Sequence, residues 1–85
     1  MAETFAARME LMRFGTYVYM KQAALRGQIE SGRMDVALAK EVLALFDDFT
    51  DRLERRGAAA DLNLAGANRR YTATIRELLR VAGCE

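Results

Sequence analysis

The chain of 85 residues has no histidine, no proline and no tryptophan, and only one cysteine. The missing histidine removes the commonest general base near neutral pH and the commonest metal ligand together. Cys84 has no second thiolate for zinc and no partner for an intrachain disulfide, so it reads as a tolerated tail residue in a reducing compartment. Ser31 has no imidazole to activate it, and Gly27 and Gly32 lack the Gly-Lys-Ser/Thr ending of a phosphate loop. These absences lead us to expect a protein that is not an enzyme and holds neither metal nor cofactor. Residues 1–5 show no basic stretch followed by an apolar one, so no signal peptide is expected. No window approaches the ~18 apolar residues of a membrane span, and the expected location is the cytoplasm.

Thirteen basic and twelve acidic side chains leave a net charge of +1, and 52% of the residues are hydrophobic. The balance argues against binding nucleic acid or an anionic membrane by bulk charge, and the apolar content argues against disorder. Fifteen alanines, with many Leu, Met, Glu and Arg and nothing to interrupt a helix, point to an all-α fold. Neither sustained alternation nor an Asn-Gly or Asp-Gly turn suggests strands. Arginine outnumbers lysine eleven to two, which together with the alanines suggests a GC-rich bacterial or phage genome.

Periodicity places a first helix from about Glu3 to Glu30, with Gly15 and Gly27 each costing roughly 1 kcal/mol in its interior. One side of it gathers Phe5, Met9, Met12, Thr16, Tyr19, Met20 and Ala23; nearly opposite lie Leu11, Phe14, Val18, Leu25 and Ile29. A helix apolar on two faces cannot satisfy both against one neighbour, so it must be sandwiched, dimerised or docked. Ser31 to Met34 reads as a tight connection. Asp35 is the expected N-cap of a second helix over Val36–Arg56, with a stripe of Leu38, Val42, Leu45, Phe46, Phe49 and Leu53. Arg55 and Arg56 complement its dipole and Gly57 caps its end. A third helix is expected from Leu62 to Ala82, capped by Asp61 and Gly83, with Leu64, Ala67, Asn68, Tyr71, Ile75, Leu78 and Ala82 inward. The expected architecture is a single domain: a long helical hairpin with a third helix laid along it, bundle-like and prone to dimerise.

Four side-chain groups invite functional readings. Asp47, Asp48, Asp51 and Glu54 could hold a cation, but Asp48 to Arg52 and Asp51 to Arg55 are i,i+4 pairs typical of a solvated face. Arg69, Arg76 and Arg80 form a row on the third helix, with Arg70 to one side, that could meet phosphates or an acidic groove. The spacing does not match a helix-turn-helix. Met9, Met12, Phe14, Tyr17, Tyr19 and Met20 resemble an adaptable binding surface as much as a core. Asn68 and Tyr71 are either a buried hydrogen-bonding station or part of a binding spot.

The expected function is therefore that of a helical protein-binding module of adaptor, chaperone or inhibitor type, which docks an apolar face of its first helix onto a protein partner or a second copy. Leu11, Phe14, Val18, Leu25 and Ile29 are the expected contact residues, with Arg69, Arg76 and Arg80 adding selectivity. The alternative is a nucleic-acid-associated protein using that arginine row.

Overall fold

A computed structural model describes residues 4–83; Glu3, the expected start of the first helix, and Cys84 lie outside them. The described chain forms three helices, α1 (Phe5–Glu30), α2 (Val36–Arg56) and α3 (Ala59–Val81), in an elongated three-helix bundle of 44 × 18 × 17 Å. None of them is long and apolar enough to cross a membrane.

Local signals set the helix ends. Thr4 caps α1, its hydroxyl accepting from the Ala7 N–H at 3.1 Å. At the far end Gly32 adopts φ 71°, and the Arg33 N–H returns to the Gln28 carbonyl at 2.9 Å. The left-handed glycine thus satisfies carbonyls the last turn would leave bare. Gln28 also accepts from the Asp35 N–H at 2.9 Å, tying the end of α1 to the start of α2. The Asp35 carboxylate caps α2 through the N–H groups of Ala37 and Leu38, and Gly57, at φ 73°, ends it.

The third helix departs from expectation in two ways. It starts at Ala59 behind the N-cap Ala58, which has no polar side chain to cap with, and the Asp61 carboxylate lies inside the first turn, where it meets Arg56 of α2 at 2.7 Å. That places a negative charge in the first turn of α3, where the dipole favours it. Its buried stripe is also rotated. Ala65, Asn68, Thr72, Ile75 and Leu79 point inward, whereas Leu64, Ala67 and Ala82 are exposed and Tyr71 and Leu78 are half-buried. Thr72 becomes tolerable in the core because its hydroxyl donates to the Arg69 carbonyl at 3.0 Å.

The central helix is α2. It buries Ala39, Val42, Phe46, Phe49, Thr50 and Leu53, an arc turned from the expected stripe toward Ala39 and Thr50, with Leu38 and Leu45 left half-buried; α1 packs on one side of it and α3 on the other. Among the described residues no Cα of α1 comes within 8 Å of a Cα of α3. Side chains bridge that gap. Tyr19 of α1 packs edge-on against both Phe46 and Phe49, while Tyr71 of α3 lies 4.9 Å from Phe46.

The two internal glycines of α1 differ. A Cβ on Gly15 would stand 2.7 Å from Cζ of Phe49, so the ring packs directly on the α1 backbone; a Cβ on Gly27 would meet nothing within 4 Å. Gly15→Ala should therefore destabilise the fold by roughly 1–3 kcal/mol through overpacking. Gly27→Ala should stabilise the isolated chain by about 0.5–1 kcal/mol through helix propensity alone. Denaturant melts of both variants in dilute solution check the pair; equal effects would remove the close-approach account.

Candidate functional site

The structure decides which face of α1 is core. Val18 and Leu25 are fully buried, and Leu11, Phe14 and Ile29 pack against the same core. For two of the five expected partner contacts the expectation is corrected, since Val18 and Leu25 are sealed inside the core; Leu11, Phe14 and Ile29 are half-buried and pack against that core from its edge. Their spacing returns to one side of the helix every three or four residues, and that side is where α2 delivers Phe46 and Phe49.

The opposite arc is uncovered. Phe5 is 81% exposed, Met20 68% and Met12 55%. Thr16, Tyr19, Ala23 and Gly27 share that arc and are exposed, and Met9 is half-buried. The Thr16 hydroxyl already donates to the Met12 carbonyl at 3.0 Å, so it needs no outside hydrogen bond. Leu64 of α3, also exposed, lies across a shallow cleft from Met12. Arg8 and Arg13 are exposed along the edges of the arc. An apolar centre with a charged rim, held on a continuous helix, is the composition of a protein-binding surface.

The arginine row has a different setting. Because the α3 stripe is rotated, Arg69 and Arg76 follow Asn68 and Ile75 directly and border the core beside α2. Arg69 donates to Asp51 at 3.2 Å and to Glu54, and Arg76 donates to Asp47 at 2.7 Å. Arg80 pairs with Glu77 on its own helix. The acidic cluster and the arginine row are therefore largely two halves of one interhelical ladder. Asp48 keeps its i,i+4 pair with Arg52, whose guanidinium also lies 4.4 Å from the Phe14 ring centre. Arg55 reaches the Asp51 carbonyl instead of its carboxylate, which Arg69 has taken. Residue spacing within each helix keeps the two groups separate; the signal that could have joined them is the matching register of acids on α2 and arginines on α3 in an antiparallel pair. No group of acidic and sulfur side chains suited to a metal occurs among the described residues.

Asn68 and Tyr71 form a station between α1 and α3. The Tyr19 hydroxyl donates to Asn68 Oδ1 at 3.2 Å, and Tyr71 faces Gln22 and Arg26. Burial raises the pKa of both tyrosines, opposed for Tyr19 by the Asn68 bond and for Tyr71 by Gln22 and Arg26. Asn68 is nearly fully buried, and its amide nitrogen finds no acceptor. The Tyr71 hydroxyl is likewise buried without a hydrogen-bond partner, so the Tyr19–Asn68 bond is the one that ties α1 to α3 at this station.

No protein-family model, no characterised protein and no solved structure matches this chain.

The ladder is pH-dependent with a definite sign. Hydrogen bonds from Arg69 hold the Glu54 carboxyl below its ordinary value of 4.5, and Arg80 does the same for Glu77. A carboxyl lowered by folding stabilises the fold fully above its ordinary value, and that contribution is lost as the pH falls through the folded value. Thermal melts should therefore fall as the solution is acidified below 4.5, and Glu54→Gln should flatten the decline. An acid slope unchanged in that variant would show that the ladder is not coupled to folding.

Proposed function

We propose that this chain is a non-enzymatic protein-binding module of adaptor, chaperone or inhibitor type, working in a reducing cytoplasm by covering or bridging a partner's surface. The contact is the outer arc of α1. One observation supports this above the others: Phe5, Met12 and Met20 are large, apolar and more than half exposed on one side of a single helix. Exposed apolar residues scattered singly are ordinary, but these three recur every second turn on one side of a helix and are joined along it by Met9, Thr16 and Ala23. Methionines suit such a contact because an unbranched thioether adapts its shape to what it meets. The mechanism is steric, and needs no group transfer.

The carboxylates opposite Arg69, Arg76 and Arg80 favour this reading over nucleic-acid binding, because each of those cations already faces an anion of the same chain. Salt titration separates the two: phosphate contacts weaken steeply with ionic strength, whereas an apolar contact does not.

The test is a double variant, Met12→Glu with Met20→Glu, compared with the parent by affinity purification from the native host and mass measurement of what co-elutes. Both side chains are exposed, so the stability should stay within about 0.5 kcal/mol of the parent. Partner capture should be lost while helicity by circular dichroism is kept. A double variant that keeps its partner would overturn the reading.

A further inference from the structure

We propose that the occupant of the outer arc is a second copy of this chain, its α1 lying antiparallel to the first about a two-fold axis at Thr16. This rests on the protein-binding reading above and specifies its partner. Gly27 is an exposed glycine inside a helix, where it weakens the helix and has no internal packing reason, since a Cβ there would meet nothing within 4 Å. Gly15 on the same helix shows what such a residue is for when it is occupied: a ring rests on the backbone. Gly27 lies on the exposed arc with Thr16 and Ala23, so a neighbour that comes close there comes from outside the chain.

The arc is self-complementary in size. In an antiparallel pair centred on Thr16, residues equally far from it face one another, so Phe5 meets Gly27, Met9 meets Ala23 and Met12 meets Met20. The most exposed large side chain, Phe5, is thereby matched with the position that has no side chain at all. A two-fold interface uses the same patch on both subunits, so each large-small match occurs twice. A parallel pair in register would set Phe5 on Phe5 and leave both glycines unfilled. The central Thr16 brings no unpaired donor, because its hydroxyl is bonded to Met12.

Area points to a reversible contact. At roughly 150–250 Å² for a whole large side chain, the uncovered parts of Phe5, Met12, Tyr19 and Met20 amount to on the order of 500 Å² per copy. Met9, Thr16, Ala23 and Gly27 add to this, which reaches the low end of the roughly 600–800 Å² per partner of specific interfaces. A contact at the low end of that range fits a weak, reversible dimer.

The experiment is sedimentation equilibrium of the full chain across micromolar to submillimolar concentration, for the parent and for Gly27→Arg. The parent should shift from monomer to dimer. Gly27→Arg fills the seat of Phe5 and should stay monomeric with unchanged helicity, because the space around Gly27 is open within the chain; should it lose helicity, Ala23→Arg reads the same contact. Register is read by oxidation in a Cys84→Ser background, where Thr16→Cys should cross-link to itself and Ser31→Cys should not. A parent monomeric throughout, a dimer indifferent to both arginine variants, or cross-linking at Ser31→Cys with none at Thr16→Cys would overturn the proposal. A monomer that still captures a different protein through Met12 and Met20 would overturn self-pairing alone, whereas a monomer that captures nothing would overturn the broader reading as well.

Discussion

Two phenylalanines on α2 hold the three helices together. Phe49 takes the edges of Phe14 and Tyr19 from α1, and Phe46 takes Tyr19 from α1 and Tyr71 from α3. Ring pairs of this kind add about 0.5–1.5 kcal/mol each beyond the area they bury. They also dictate what the neighbours can be. Phe49 needs Gly15 beneath it, since a Cβ there would stand 2.7 Å from the ring. Once α2 occupies the middle, α1 and α3 each have one side turned to it and another side left over.

What becomes of the leftover sides differs between the two outer helices. On α3 the flank beside α2 carries Arg69 and Arg76, which meet carboxylates of α2, so that edge is closed electrostatically. These pairs are exposed, and exposed pairs contribute little individually, typically ~0–1 kcal/mol, but together they orient α3. On α1 the ion pair of Lys21 with Glu41 and the stacking of Arg52 on Phe14 close the edge toward α2. The outer arc of α1 has no such closure. Its exposure is a product of the geometry: two companions cannot surround a helix that is apolar on both sides.

Much of the fold could be read from residue order. Asp35 and Gly57 bracket α2 because a short carboxylate and a residue free to adopt positive φ are what helix ends require. The opposed stripes of α1 were equally visible, and so was the need to cover one of them. Which stripe faces inward was not visible, because both contain large apolar residues and the choice depends on where Phe46 and Phe49 arrive from α2. The rotation of α3 was hidden for a related reason. Counting large apolar residues favoured Leu64, Tyr71 and Leu78, whereas the folded helix turns Ala65, Thr72 and Leu79 inward beside the expected Asn68 and Ile75. Asp61 looked like a cap in sequence and is an ion-pair partner in space, since nothing local announces that Arg56 turns back toward it.

The arrangement in which α1 and α3 both lean on the helix between them bears on how the chain finds this shape. Among the described residues every backbone packing contact between helices joins neighbours along the chain, so each hairpin closes only a short loop, whose entropic cost is small. Chains dominated by such local contacts belong to the quick end of folding rates, from microseconds to milliseconds. Either hairpin can zip up without waiting for the other, and their shared middle rod makes whichever forms first a ready template for the remaining one.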